Sequence, residues 1–173
     1  MNRIEKVLLP LILSCSMASA VSAQFTGNPF LYNSANDQRW ACYGISARSV
    51  ANCNSIVDGN DFLMCSALAQ SSQTPCFSIT DRNLQLTCFG IAFAPNYPSN
   101  CDDITDPEMK KFCQGASSWN ANPCTEIIDT NTRQLCIAMA TRDGSNCTPI
   151  NNPKDQAFCY GVAWHSSFYC SSI

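Results

Sequence analysis

The chain has 173 residues, of which 46% are hydrophobic and only 13% are charged, and its formal net charge is -3. This composition excludes a disordered charged tail, which needs high charge and low hydrophobicity. The acidic balance argues against binding nucleic acid or an anionic membrane by neutralising phosphate groups. There is one histidine, which excludes most histidine-based metal sites. We therefore expect a folded protein that binds no nucleic acid.

Residues 1–23 have the pattern of a cleaved secretory signal peptide. They begin with the basic residues Arg3 and Lys6 and continue with a mainly apolar run over 7–17. This run is too short to span a hydrocarbon core of about 30 Å. Val21-Ser22-Ala23 then supplies the small residues that signal peptidase recognises. Lipid anchoring through Cys15 is disfavoured, because the residues before it fit a lipobox poorly. We expect a periplasmic or secreted protein without stable membrane insertion.

Twelve regularly spaced cysteines follow residue 23. They are Cys42, Cys53, Cys65, Cys76, Cys88, Cys101, Cys113, Cys124, Cys136, Cys147, Cys159 and Cys170. Successive cysteines are 11 to 13 residues apart, and every second cysteine recurs after 23 residues, once after 25. An even number of cysteines in an exported chain predicts disulfides. The fixed period predicts a tandem repeat of six copies.

Each copy has the sequence pattern of a short helical hairpin. Seven residues before the first cysteine of a copy stands a favoured helix N-cap in five copies, whereas the first copy has Ala35 there. These cap residues are Asp58, Asp81, Asp106, Asp129 and Asn152. Helix-breaking residues precede the second cysteine, and the Cys-x-x-Ile that follows fits one helical turn. We predict an all-α fold, a solenoid-like stack of six hairpins of about 23 residues over 37–173, with residues 24–36 capping its open end.

Two features bear on how the copies pack. Two residues after each first cysteine the side chain is always glycine or alanine, which predicts the close approach of another backbone at Gly44 and its equivalents. Pairing within a copy uses every cysteine, whereas pairing between neighbouring copies leaves Cys42 and Cys170 over. We therefore favour pairing within copies and keep the other scheme as an alternative.

The sequence contains no recognisable catalytic or cofactor-binding set. The closest cysteines after residue 23 are eleven apart, so the C-x-x-C spacing of metal and redox sites is missing. A Ser/His/Asp site could combine His165 with Asp155. However, the sequence has no G-x-S-x-G or comparable nucleophile-elbow motif to supply the serine. Asp102 and Asp103 lie in a predicted turn beside a helix cap, where acidic residues have a structural role. We expect a protein that is not an enzyme and has no cofactor.

Aromatic side chains are the candidate binding residues, because Tyr and Trp often anchor interfaces. The candidate surface comprises Tyr43, Phe89, Phe93, Tyr97, Trp119, Tyr160 and Trp164. Two of them, Phe93 and Tyr97, accompany a two-residue insertion in the third copy, and such insertions often lie on a binding face. If these residues share one face, they form an aromatic ridge.

The leading hypothesis for function is an exported, non-enzymatic module that captures or neutralises an envelope or secreted protein. This hypothesis rests on the predicted compartment and the repeat architecture, so it is an inference by analogy with other exported repeat proteins. Two alternatives stay open. One is a small secreted hydrolase that uses His165 or the acids near Asp102, and the other is a durable structural or effector protein. The oligomeric state is left open.

Overall fold

The structure, a computed structural model, describes residue 32 and residues 34–95 and 98–173. The predicted signal peptide and most of the predicted cap segment 24–36 lie outside these residues. Within them the chain forms seven α-helices, five short 3₁₀ turns and no strand, so the all-α prediction is confirmed. The helices are α1 (Ala35–Ser46), α2 (Val50–Cys53), α3 (Gly59–Gln70), α4 (Arg82–Ile91), α5 (Pro107–Ser118), α6 (Thr130–Thr141) and α7 (Pro153–Ala163). The turns are Thr74–Ser78, Pro98–Cys101, Pro123–Glu126, Gly144–Cys147 and Ser167–Ser172.

The long helices begin at the predicted cap residues. Asp81 Oδ1, for example, accepts a hydrogen bond from the backbone N–H of Leu84 at 2.8 Å. All five predicted cap side chains accept hydrogen bonds from backbone N–H groups in the first turn of their helices. In the first copy Ser34 is the cap, one residue before Ala35, and its Oγ accepts from the N–H of Asp37. The first arm of each hairpin is therefore a long helix, and its second arm is α2 or a 3₁₀ turn.

A repeated hydrogen bond ties the two arms of a hairpin together. The acceptor is the side chain five residues before the first cysteine. The donor is a backbone N–H at the end of the same copy, in the residue that directly follows the isoleucine of Cys-x-x-Ile. Asn60 Oδ1 accepts from the N–H of Thr80 at 3.1 Å, and Asn83 Oδ1 accepts from Thr105 at 3.0 Å. The other acceptors are Asp37, Glu108 and Asn131. The sequence analysis missed this position, although its Asp, Asn or Glu recurs in five copies.

The six hairpins close into a ring. Each long helix packs against the next one, and α7 and the turn Ser167–Ser172 pack against α1. The disulfide between Cys42 and Cys170 joins the first copy to the last. The predicted stack of helical hairpins is thus present, and its first and last copies are in contact.

All twelve cysteines form disulfides, as predicted, but the favoured pairing within copies is wrong. The second cysteine of each copy pairs with the first cysteine of the next. The pairs are Cys53–Cys65, Cys76–Cys88, Cys101–Cys113, Cys124–Cys136 and Cys147–Cys159. Ring closure removes the objection to this scheme, because the two cysteines left over pair with each other. Six disulfides are typical of an oxidising, extracellular-type environment.

The small residues after the first cysteines make room for these disulfides. A Cβ at Gly44 would lie 2.5 Å from the Sγ atoms of both Cys53 and Cys65. Gly90, Gly115 and Gly161 face the next disulfides in the same way. The group that approaches these glycines is therefore a disulfide, and not another backbone as predicted.

The centre of the ring is filled at the level of the first cysteines. The residue before each first cysteine is fully or almost fully buried in all six copies. These residues are Ala41, Met64, Thr87, Phe112, Leu135 and Phe158. The residue three after each first cysteine lies about one turn further along the same helix face. That second layer leaves space, and the space is the candidate site.

Candidate functional site

A cavity of about 320 Å³ lies on the ring axis, towards the C-terminal ends of the long helices. All six copies contribute to it through the residue three after the first cysteine. This floor consists of Ile45, Leu68, Ile91, Ala116, Met139 and Val162. We call the cavity the axial pocket. Its floor is entirely apolar, and its volume is at the lower end of the range for small-molecule sites.

The rim of the axial pocket comes from the position six after each first cysteine. The rim residues are Arg48, Ser71, Ala94, Trp119, Arg142 and His165. Five of them, all except Ala94, have a left-handed backbone with φ between 49° and 56°. Each of the five is followed by an N–H that donates back into the helix, as Ser49 does to the carbonyl of Gly44 at 2.9 Å. Glycine is the usual residue in this C-terminal motif, so a side chain at every one of these positions needs another explanation.

The copy with the insertion ends differently and also reaches the axial pocket. After α4 the backbone N–H of Ala94 donates to the carbonyl of Ile91 at 3.3 Å, and the left-handed residue is absent. Phe93 and Ala94 both line the cavity, and Phe93 is partly exposed there. The described start of this loop therefore borders the pocket. Tyr97, the other predicted residue of this loop, lies outside the described residues.

The rim is cationic. The guanidinium of Arg142 lies 3.8 Å from the centroid of the Trp119 ring, in a cation–π contact. The pKa of His165 is lowered from its usual 6.5, first by burial and then by the charges of Arg48 and Arg142. A hydrogen bond to the backbone carbonyl of Ile45 acts in the opposite direction. The rim therefore carries two permanent positive charges, those of Arg48 and Arg142. No Asp or Glu is among the residues that line the cavity.

The structure separates the predicted aromatic residues into different places. Phe93 and Trp119 line the axial pocket. The three that directly follow a first cysteine lie elsewhere, because residues two apart on a helix point roughly 200° apart. These are Tyr43, Phe89 and Tyr160.

Each of these three belongs to its own local cluster. Phe89 makes an edge-to-face contact with Phe77, with ring centroids 4.8 Å apart. Tyr160 stacks on Trp164, with centroids 5.0 Å apart. Tyr43 borders a second, shallower depression of about 530 Å³ formed with Arg39, Trp40, Asn52 and Ser171. The described residues therefore form separate clusters and not one aromatic ridge.

The residues proposed for hydrolysis are not brought together. Asp102 does not line the axial pocket, and its Oδ1 accepts from Nε2 of Gln114 at 3.1 Å. Asp155 lies in the first turn of α7, whereas His165 follows the end of that helix. A helix of 11 residues is about 16 Å long, so the two side chains begin at opposite ends of α7.

Sequence reasoning missed the rim as a set. Aligning the six copies would have revealed it, because this position varies from arginine to tryptophan, whereas the positions two, three and four after the first cysteine stay small or apolar. The glycine or alanine positions keep their size because they touch disulfides. The rim position, in contrast, varies in both size and charge.

The described part of the chain has neither a metal site nor a membrane-spanning helix. No group of histidine, cysteine, aspartate or glutamate residues there is arranged to hold a metal ion. None of the helices described above is long and apolar enough to cross a membrane.

Comparison with known proteins gives no relative from which to transfer a function. The chain matches no protein-family model, no curated protein and no solved structure.

Proposed function

We propose that this protein is a non-enzymatic binding module and that the axial pocket is its binding site. The observation that carries the proposal is the repeated use of two positions. Every copy places one residue on the apolar floor and one on the rim, and five rim residues keep a side chain on a left-handed backbone. Strained backbone of this kind is concentrated at functional sites.

The expected partner is a protein of the cell envelope or the medium, as the signal peptide proposed for residues 1–23 implies. A stable protein interface buries about 800 Å² on each side, far more than a cavity of this size provides. A protein partner would therefore insert a chain end or a projecting side chain and rest on the surrounding rim. Six disulfides supply the rigidity that lowers the entropic cost of binding.

The proposal is tested by filling the pocket. Ala116 is a small floor residue, and Ala116→Phe adds a ring to the cavity. Gln114→Phe is the matched control, because it adds the same ring to the same helix on the side away from the axis. Each protein is immobilised and exposed to envelope and secreted extracts from its source, and the bound partner is identified. Circular dichroism checks that both variants fold.

We expect the parent and Gln114→Phe to retain the same partner and Ala116→Phe to lose it. Equal retention by all three proteins would mean that the pocket is not the binding site. A turnover activity that disappears in His165→Ala would replace the binding proposal with the hydrolase alternative.

A further inference from the structure

We infer that the axial pocket takes a small carboxylate with an apolar body, its carboxylate bound by Arg48 and Arg142 beside His165. The inference rests on the proposed function and adds the chemical class of the ligand. It has four supports: unpaired charge, the failure of capping to explain that charge, preorganisation, and size.

The first support is that the positive charge at the pocket has no acidic partner among the described residues. Neither the guanidinium of Arg48 nor that of Arg142 makes a hydrogen bond or an ion pair with a described residue, and the ion pair found among the described residues joins Lys111 to Glu108. The chain has 13 acidic residues and 10 basic ones, so acidic partners are not scarce. Yet none lines the cavity. Two cations close enough to His165 to lower its pKa create a positive potential that an anion would neutralise.

The second support is that helix capping does not account for these charges. Cations are favourable near helix C-termini, where backbone carbonyls lack partners. Here the residue after each left-handed rim position already donates its N–H to one of those carbonyls, as Asp143 does to Ala138 at 3.2 Å. Ser71 and Trp119 occupy the same position without a charge. The arginines therefore serve something other than the helix ends.

The third support is preorganisation. The guanidinium of Arg142 lies over the Trp119 ring, which restricts the long side chain before a ligand arrives. A guanidinium held in this way loses less entropy when its N–H groups bind a carboxylate in a bidentate manner. Its contact partner, Trp119, is partly exposed and offers an apolar edge beside the charge.

The fourth support is the size and polarity of the floor. A volume of about 320 Å³ corresponds to roughly ten water-sized groups, which suits a ligand of about ten non-hydrogen atoms. The six floor side chains carry no hydrogen-bonding group. A sugar or a polyol would therefore lose hydrogen bonds to water without replacement, whereas an alkyl or aryl group would not.

Octanoate and octanamide form the matched probe pair, because they have the same number of non-hydrogen atoms and differ in charge. Binding is followed by NMR, with the Met139 methyl group reporting on the floor and the His165 ring reporting on the rim. We expect octanoate to shift both signals and to raise the pKa of His165. We expect octanamide to bind about ten- to a hundredfold more weakly, which is the range for losing a charged hydrogen bond.

Arg142→Gln and Arg48→Gln should each weaken octanoate binding by a similar factor and leave octanamide binding unchanged. Arg39→Gln is the charge control, because it removes a guanidinium that lies over Trp40 away from the axial pocket. Equal binding of octanoate and octanamide to the parent protein would overturn the carboxylate inference and leave the binding proposal intact. If neither probe shifts Met139, and no partner is lost in Ala116→Phe, the proposed function fails as well.

The carboxylate can belong to a free small molecule or to the C-terminus of a peptide. A short peptide ending in two leucines, with its C-terminus free or amidated, distinguishes these sources. Tighter binding of the free-ended peptide than of octanoate indicates a protein chain end as the ligand. Binding of octanoate alone indicates a free carboxylate. Preference for the amidated peptide over the free one would contradict the inference.

Discussion

Five rim residues hold a backbone conformation that costs ordinary side chains roughly 1 kcal/mol or more each. Ser71 and Arg48 illustrate the point, because each occupies the position that ends a helix and for which glycine is the usual choice. At this scale the molecule gives up stability to present side chains around one cavity. Functional sites often lower the stability of the whole protein in this way, because residues selected for function are not the most stable choice at their positions.

Replacing a rim residue with glycine should therefore stabilise the protein. We expect Arg48→Gly and Ser71→Gly each to raise the free energy of unfolding by about 1 kcal/mol, measured by denaturant unfolding with the disulfides intact. Arg48→Gly should also lose octanoate binding, whereas Ser71→Gly should keep it. A fall in stability in both variants would show that the left-handed positions are not strained.

A second residue-scale prediction concerns pH. Burial, followed by the charges of Asp58 and Asp37, raises the pKa of Asp61 from 3.8 to about 7. The folded state therefore keeps a proton that the unfolded state loses, and this contribution to stability is full below pH 3.8 and is lost as the pH rises to 7. Asp61→Asn removes the titrating group.

We expect Asp61→Asn to match the parent near pH 4 and to be more stable by about 1–2 kcal/mol at pH 8, allowing for the partial exposure of the carboxyl group. Denaturant unfolding at a series of pH values measures the difference. The account of Asp61 would be wrong if the difference were the same at both pH values.

The helix caps show how far single residues could be predicted from sequence. Asp58 and its equivalents were identified correctly because a cap depends on neighbours within three residues. The rim could not be identified in this way. Arg48 and Arg142 are 94 positions apart in the sequence, and only the closed ring brings their charges to His165.

Among the elements, a long helix with glycine two residues after its first cysteine packs closely against the disulfide that joins its own copy to the next. Gly44 faces the Cys53–Cys65 disulfide at a distance that leaves no room for a methyl group. Glycine inside a helix costs up to about 1 kcal/mol relative to alanine, so its presence in α1 indicates a packing requirement. The equivalent positions in two other copies hold Ala67 and Ala138, which are fully buried.

We expect Gly44→Ala to destabilise the protein by about 1–2 kcal/mol, because overpacking outweighs the gain in helix propensity. Gly59→Ala is the control, since a Cβ there meets nothing within 4 Å. Thermal unfolding of both variants measures the effect. Gly44→Ala would contradict the packing account if it were as stable as Gly59→Ala.

In the whole molecule, one disulfide determines the topology. The Cys42–Cys170 pair spans 128 residues, whereas each of the other pairs spans 12. The sequence period predicted the number of copies and their helical character. It could not predict the ring, because the period does not specify the rotation from one copy to the next, and closure requires that six rotations complete a turn. The choice of disulfide pairing failed for the same reason.

Opening the ring should cost more than removing any other disulfide. In the chain-entropy model Cys42→Ala with Cys170→Ala lowers the free energy of unfolding by about 5 kcal/mol, against about 3 kcal/mol for Cys76→Ala with Cys88→Ala. The first pair should also abolish octanoate binding, because α1 and α7 both border the axial pocket. Thermal unfolding and the Met139 signal measure the two effects. Retained binding in the opened protein would show that the disulfide is dispensable for the site.

Peptide mapping of the unreduced protein tests the closed ring most directly. Tryptic cleavage separates residues 40–48, 49–82, 143–154 and 155–173. The ring predicts one disulfide-linked assembly of 40–48, 155–173 and 143–154, held by Cys42–Cys170 and Cys147–Cys159. Linkage of 40–48 to 49–82 through Cys42 and Cys53 would contradict the ring, and with it the axial pocket.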